Sequence, residues 1–434
     1  LLLSLNLKKF MYETTILDNG ARLVSGYLEE RESVGFGIWI RAGARFENIA
    51  NQGIAHFLEH LLFKGSRNYS SKKIKESIEG VGGALNGFTS EEFCCYFVKI
   101  PYQHLSMAAD ILLDMVISPL LLEQEIEKER GVILEEIKLY YDLPQNYVQQ
   151  LLDEILWPNH SLGRNILGTY KTIKNIKREQ LLFFKKRYYT PVNMVIAACG
   201  NLKHENLLKK IKEAFKKYKF NYNRKNTFKE FVFRSHQPEI KIASRSIEQI
   251  HLAIGFPGIS RNDPRRYALG LLHVILGANM SSRLFNEVRE KRGLAYDIGT
   301  QAQFFLDTGS FLIHAGIDKK NLKSCLKIIF KELDKISRCP VSLKELKRAK
   351  EYYLGQLSIS LEDTLEHMLW IGESMLALDR IHTFKESKDR INRISAEEIS
   401  RIAKDIFMPL KRKLALVGPI AETKEELFAY LSKI

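Results

Sequence analysis

Apolar residues flank a polar Asp-Asn-Gly in "TTILDNGARLVSGY" and run almost unbroken through "SVGFGIWIRAG", which predicts a hairpin followed by an apolar strand. Asn19-Gly20 supplies the residues that tolerate positive φ, so a two-residue turn is expected there. The period then changes. "GIAHFLEHLLFKG" from Gly53 and a lysine-rich stretch from about Ser71 read as helices, and "ALNGFTSEEFCCYFVKI" returns to strand alternation. Two long helical patterns, from about Gln103 and about Leu122, lead to the strand "YYTPVNMVIAACGNL".

The second half gives the same order: strand "IEQIHLAIGFPG", helix "PRRYALGLLHVILGA", strand "TGSFLIHAGI", helices from Leu322 and Ser342, and a last strand "KLALVGPI". "PLLLEQEIEKERGVILEEI" from Pro119 and "PVSLKELKRAKEYYLGQL" from Pro340 align with an offset of about 220 residues when strand and helix periods are matched. A duplicated α+β unit follows. The polar, basic "YKFNYNRKNTFKEF" from Tyr218 is the expected linker, with strands resuming near Val232. The domain reading is therefore an N-terminal lobe 11–217, a linker 218–231 and a C-terminal lobe 232–434.

Composition fits this division. The chain has 434 residues, 45% hydrophobic and 27% charged, and single cores stop growing at roughly 250–300 residues, so two or more domains are expected. No apolar run approaches the ~18 residues needed to span a bilayer. The opening "LLLSLNLKKFMYE" has an apolar patch too short for a secretory h-region and no small-residue cleavage site, so the chain reads as not exported and not membrane-bound, and Met11 begins what looks like the first strand. Cys94, Cys95, Cys199, Cys325 and Cys339 are odd in number and form no C-x-x-C pair, which argues for a reducing cytoplasm. The net charge is +15, but the lysines are interleaved with glutamates in stretches such as "KSCLKIIFKELDKISR", which argues against a nucleic-acid surface.

On a helix, His56, Glu59 and His60 fall at about 0°, ~300° and ~40°, one continuous face. Two imidazoles one turn apart can share a cation, and the carboxylate between them can reach a water bound to it. The order H-x-x-E-H is the inverted form of the zincin motif. A surface helix with polar residues on its wet side explains the same spacing. An open catalytic zinc needs a third protein ligand. In "EIEKERGVILEEIKLYY", with Ile126 as the origin, Ile133, Ile137 and Tyr140 lie at ~340°, ~20° and ~320° and define a buried stripe. Glu136 and Glu129 fall at ~280° and ~300° beside that stripe, whereas Glu135 falls at ~180° and faces water. Glu136 is the candidate third ligand. Glu129 is the candidate outer carboxylate that orients a histidine ring.

At this point the chain resembles the pitrilysin/insulinase-type zinc peptidases, and within them the mitochondrial-processing-peptidase-like (bacterial-type) branch. The resemblance rests on "HFLEHLLFKG", on "ERGVILEEI" with Glu136 as its last glutamate, on "LNGFTSEE", on "YYTPVNMV" and on "SSRLFNEVREKRGLAY". It implies His56, His60 and Glu136 as ligands of one Zn2+ per chain and Glu59 as general base. It implies two homologous α+β lobes, each a mainly antiparallel sheet packed with helices, enclosing a central chamber. It also implies that Arg289 and Tyr296 contact peptide from a second lobe without metal. Read without the family, they are a helix end and a buried strand tyrosine, with Arg292 as the rival arginine. The segment Asn86-Gly87-Phe88 is the implied edge on which substrate adds as a strand.

The expected function is a cytoplasmic zinc endopeptidase, a homodimer, acting on unfolded peptides or short protein segments. The alternative is a scaffolding subunit of the same fold that has lost its site; the presence of His56, Glu59, His60 and Glu136 argues against it. "LEDTLEHMLW", with Asp363, Glu366 and His367, imitates the motif but is expected to be a decoy, because the repeat places the motif's counterpart near "HVILGANMSS" and aligns Gln356 with Glu136.

Overall fold

A computed structural model describes residues 12–218, 220, 224–233 and 237–432. Met11, residues 219 and 221–223 of the expected linker, and 234–236 lie outside the described residues. The first sheet contains β1 (Tyr12–Ile16), β2 (Arg22–Tyr27), β3 (Ser33–Ile40), β4 (Ala84–Thr89), β5 (Cys94–Pro101) and β6 (Met194–Gly200). The second contains β7 (Glu239–Ser244), β8 (Gln249–Pro257), β9 (Ala295–Phe304), β10 (Gly309–Asp318) and β11 (Lys413–Gly418). Their orders are β1-β2-β6-β3-β5-β4 and β7-β11-β8-β10-β9. Setting β1 aside, each strand of the first sheet has its partner in the second in the same chain order. In each sheet one pair is parallel, β2 with β6 and β7 with β11, and the rest are antiparallel. Both lobes are thus α+β with mainly antiparallel sheets. β4 and its counterpart β9 are edge strands, each with one row of backbone groups unpaired within its sheet.

Six helices matter here: α1 (Ile54–Leu62), α2 (Glu123–Asp142), α3 (Pro144–Leu156), α4 (Arg266–Leu276), α5 (Leu343–Ser360) and α6 (Thr364–Leu378). The chain divides into two compact units that are discontinuous in sequence. One holds residues 1–137, 165–228 and 359–382; the other holds 138–164, 229–358 and 383–434. Relative to the duplication, each half has given up one helix. α6 packs on β3, β6 and β2 of the first unit, and α3 packs on β11, β8 and β7 of the second.

The strand sequence shows why α6 fits. In "SVGFGIWI" the residues Gly35, Gly37 and Trp39 share one face of β3, and they meet Thr364, Met368 and Gly372, spaced one turn apart along α6. A Cβ at Gly35 would lie 2.5 Å from the Thr364 carbonyl oxygen, and one at Gly372 would lie 2.2 Å from Trp39 Nε1. The other face of β3, with Val34, Phe36, Ile38 and Ile40, is fully buried too. A strand covered on both faces reads as a continuous apolar run. In the second unit, Leu152 and Leu156 of α3 pack with Ala253, Leu312, Ala415 and Val417.

Two local expectations are corrected. The hairpin turn has three residues, not two: Leu17 N–H donates to Ala21 O, and Asp18-Asn19-Gly20 close the loop with only Gly20 at positive φ, +87°. Asn19 instead accepts the Ala21 N–H on its side chain. Among the described residues no strand resumes near Val232; the first after the linker is Glu239–Ser244. Asn226 donates to the Arg41 and Tyr188 carbonyl oxygens, and Phe228 packs edge-on against Phe46.

Overpacking a tight backbone approach costs about 1–3 kcal/mol. Gly35→Val is therefore expected to lower Tm by about 2–12 °C in a unit of this size. Thermal melting followed by circular dichroism measures this, and an unchanged Tm would contradict the close packing of α6 on β3.

Candidate metal centre

α1 begins where it does because of two preceding residues. Gly53 has φ +90°, and an added Cβ would lie 2.6 Å from the Leu167 carbonyl oxygen. Only glycine suits both demands. Glu47, buried, accepts the N–H groups of Gly53 and Ala55, each at 2.8 Å. Its charge sits at the positive end of the helix dipole. The neighbouring Arg45 forms a buried ion pair with Glu92 at 2.6 Å, and its guanidinium lies 3.9 Å from the Phe228 ring centre. One of the two glutamates of "TSEE" thereby has a structural partner.

α1 carries His56, Glu59 and His60, and α2 brings two carboxylates to them. Glu136 Oε2 lies 3.7 Å from His56 Nε2 and 3.6 Å from His60 Nε2. Glu129 Oε2 lies 3.0 Å from His60 Nδ1, and Lys64 Nζ lies 2.6 Å from Glu129 Oε1. Glu129 is buried, Glu136 half-buried and Glu135 exposed. Burial works against ionising Glu129, but the hydrogen bonds from Lys64 and His60 outweigh it and hold the carboxyl below its usual range. An ionised carboxylate only accepts, so His60 Nδ1 must donate, and the lone pair of the neutral ring is left on Nε2, facing Glu136. Burial, with a smaller contribution from His60, pushes His56 down to about 3, so its ring is the neutral, ligating form. No such partner orients His56: its Nδ1 is buried without a hydrogen bond among the described residues.

One donor atom from each of His56, His60 and Glu136 lies within 4.8 Å of the others. Tetrahedral zinc with bonds of about 2.0–2.2 Å asks for donors about 3.3–3.6 Å apart. The separations of 3.6 and 3.7 Å need only a small contraction. Two neutral imidazoles and one carboxylate are a catalytic zinc donor set. The residues fit the metal.

Glu59 is half-buried, and its Oε2 accepts a hydrogen bond from the Thr89 hydroxyl at 2.6 Å. Burial raises its pKa, and the Thr89 bond acts in the opposite direction. On β4, the Asn86 side chain accepts the Gly87 N–H at 2.8 Å, and Phe88 packs edge-on against Trp39 at 5.6 Å between ring centres. Thr89, Lys64 and Glu47 were not anticipated from sequence. Lys64 alone left a signal, a cation one turn after His60.

Residues 22–170 match the family model of insulinase (peptidase family M16), and residues 175–353 match that of the peptidase M16 inactive domain. An uncharacterized zinc protease of Bacillus subtilis is 35% identical over 401 residues, covering 92% of this chain and 97% of the relative. Another from Streptomyces coelicolor is 34% identical over 419 residues, covering 94% and 90%. The chain belongs to the M16 peptidase family. Zinc-dependent peptidase activity follows from that membership together with the His-His-Glu cluster. The fold agrees: a protease from Helicobacter pylori superposes with a TM-score of 0.90 at 21% identity, covering 94% of this chain and 100% of that one. A peptidase M16 inactive domain from Pseudomonas fluorescens gives 0.87 at 19% identity, covering 95% and 99%.

Within the second M16 unit, Arg289 lies on a π-helical stretch, Phe285–Glu290. Its guanidinium is 4.7 Å from the Phe285 ring centre and 5.1 Å from that of Tyr296. Tyr296 is 78% exposed, not buried as a family-blind reading expects. It lines a cavity of about 500 Å³ together with Gln149, His251, Asp297 and His314. Arg292 is engaged otherwise, donating to the Glu287 carbonyl at 2.6 Å and its carboxylate at 2.7 Å. The imitation motif has structural partners. Asp363 accepts the N–H groups of Leu365 and Glu366 at the start of α6 and pairs with Lys99. His367 is fully buried, with Nε2 2.7 Å from the Tyr12 hydroxyl and Nδ1 3.1 Å from the Leu361 carbonyl oxygen.

The three acids of α2 should separate on substitution. Glu136→Gln is expected to abolish stable zinc binding, since a neutral amide replaces an anionic ligand. Glu129→Gln should weaken zinc affinity about 10–100-fold, and Glu135→Gln should change little. Zinc per chain after chelator dialysis measures this. Metal lost from Glu135→Gln but kept by Glu136→Gln would mean that α2 is wrongly phased.

Proposed function

We propose that this M16 peptidase is an endopeptidase of the mitochondrial-processing-peptidase-like branch, using the inverted H-x-x-E-H motif to hydrolyse unfolded peptides or short protein segments within a closed chamber. The observation that carries the reading is the convergence of His56, His60 and Glu136, with Glu59 beside them and outside the ligand set.

His56 Nε2, His60 Nε2 and a Glu136 oxygen would hold one zinc, and Glu129 fixes the tautomer that frees His60 Nε2. Zinc, when bound, supplies a Lewis acid that polarises the scissile carbonyl and acidifies a water. Glu59 takes the proton of the attacking water and returns it to the leaving amine. The free edge of β4, at Asn86, Gly87 and Phe88, receives the peptide by backbone hydrogen bonding, which gives affinity with little sequence choice. In support, β4 is an edge strand and adjoins α1. Arg289 and Tyr296 donate to peptide carbonyls and to the developing oxyanion. The exposure of Tyr296 and the commitment of Arg292 to Glu287 favour this pair.

The same reading makes the protein a cytoplasmic homodimer, with a single chain providing both the zinc site and the Arg289/Tyr296 pair. All five cysteines are free, four of them buried, as suits a reducing compartment. Among the described residues no helix is long and apolar enough to cross a membrane.

Glu59→Gln is expected to retain one zinc per chain while kcat on a quenched peptide falls about 10²–10⁴-fold. Retained metal with near-normal turnover would remove Glu59 from its role. Wild-type activity that survives complete zinc removal would overturn the proposal.

A further inference from the structure

Thr89 closes β4 and stands opposite Cys94 in the β4–β5 register. Its hydroxyl has two neighbours, Glu59 Oε2 at 2.6 Å and Cys94 Sγ at 3.5 Å. The Thr89 hydroxyl has a single proton and donates it to Glu59 Oε2. With that proton committed, the remaining contact leaves Cys94 as the donor. Cys94 is suited to that: burial pushes its thiol up to about 12, so S–H persists at neutral pH. The three side chains form a one-way chain, Cys94 S–H to Thr89 O–H to Glu59 Oε2.

We propose that Thr89 is a positioning residue for hydrolysis, whose hydroxyl, oriented by Cys94, pins Glu59 Oε2 and leaves Oε1 as the atom that takes and returns the proton. This rests on Glu59 being the base. Among the described residues the hydrogen bonds of Thr89 run to Glu59 and Cys94 and not to His56, His60 or Glu136, so the effect should appear in turnover and not in metal affinity. Reacting groups misplaced by even an ångström lose large factors in rate.

The test compares Thr89→Val, Thr89→Ser and Cys94→Ala in the zinc-loaded enzyme, with zinc affinity by chelator competition and thermal melting as controls. Thr89→Val should bind zinc normally, keep KM and lose kcat about 10–100-fold. Thr89→Ser, which restores the donor, should recover kcat to within about threefold, and Cys94→Ala should cost about two- to fivefold. A crystal structure of metal-free Thr89→Val should show the Glu59 carboxylate in more than one rotamer. Unchanged kcat in Thr89→Val, a Thr89→Ser variant no better than Thr89→Val, or a Glu59 rotamer as single as in the wild type would each overturn the proposal. Adding Thr89→Val to Glu59→Gln separates the two readings. If Glu59→Gln alone is nearly inactive and the second substitution costs nothing more, Thr89 acts through Glu59. If the full Thr89→Val loss persists in that background, the positioning role fails while the base assignment stands. A fully active Glu59→Gln would remove the base itself.

Discussion

The imidazole of His60 is engaged on both edges by carboxylates of a single helix, and this constraint organises the site. Glu129 and Glu136 are two turns apart on α2, so both face α1. One holds Nδ1 as the donor; the other meets Nε2 at 3.6 Å. If α2 were rotated by one residue, Glu135 and not Glu136 would be offered, and His60 would lose the partner that fixes its tautomer. Lys64 completes the arrangement. Its ammonium, 2.6 Å from Glu129, is among the groups that offset burial and hold that carboxyl below its usual range.

The duplication gives the second unit a matching sheet, and among its described residues no cluster of metal-ligating side chains. Where α1 has His-x-x-Glu-His, α4 runs through "YALGLLHVIL", and Gln356 of α5 aligns with Glu136. What the second unit does present is the exposed Tyr296 on β9, the edge strand equivalent to β4. The π-helical stretch Phe285–Glu290 carries Arg289, whose guanidinium lies 5.1 Å from the Tyr296 ring centre. Two copies of one architecture have diverged, one toward holding a metal and the other toward presenting polar side chains at a strand edge.

Local periodicity made much of this legible. The run "SVGFGIWI" announced an apolar strand, which the structure buries on both faces, and the spacing of the isoleucines in α2 set a phase that puts Glu129 and Glu136 beside the buried stripe and Glu135 outside; the structure has Glu129 buried, Glu136 half-buried and Glu135 exposed. Quantities decided over long sequence distances were not legible. Nothing in a period says which sheet a helix will cover, so the exchange of α3 and α6 between the halves was invisible. The hairpin turn shows the same limit at short range: Asn19-Gly20 suits a two-residue loop, but Asn19 bonds the Ala21 N–H and a three-residue loop wins. Thr89 sat in plain view within "LNGFTSEE", yet a hydroxyl's partner is set by tertiary contact, here Glu59, thirty residues away.

The central claim is that one zinc is held by two imidazoles and a single carboxylate, leaving one position for water. X-ray absorption at the zinc edge of the purified holoprotein tests it most directly. The account predicts four nitrogen or oxygen neighbours at about 2.0–2.2 Å, with the outer-shell scattering of two imidazole rings. A sulfur neighbour at about 2.3 Å, or scattering from three or more imidazoles, would contradict it.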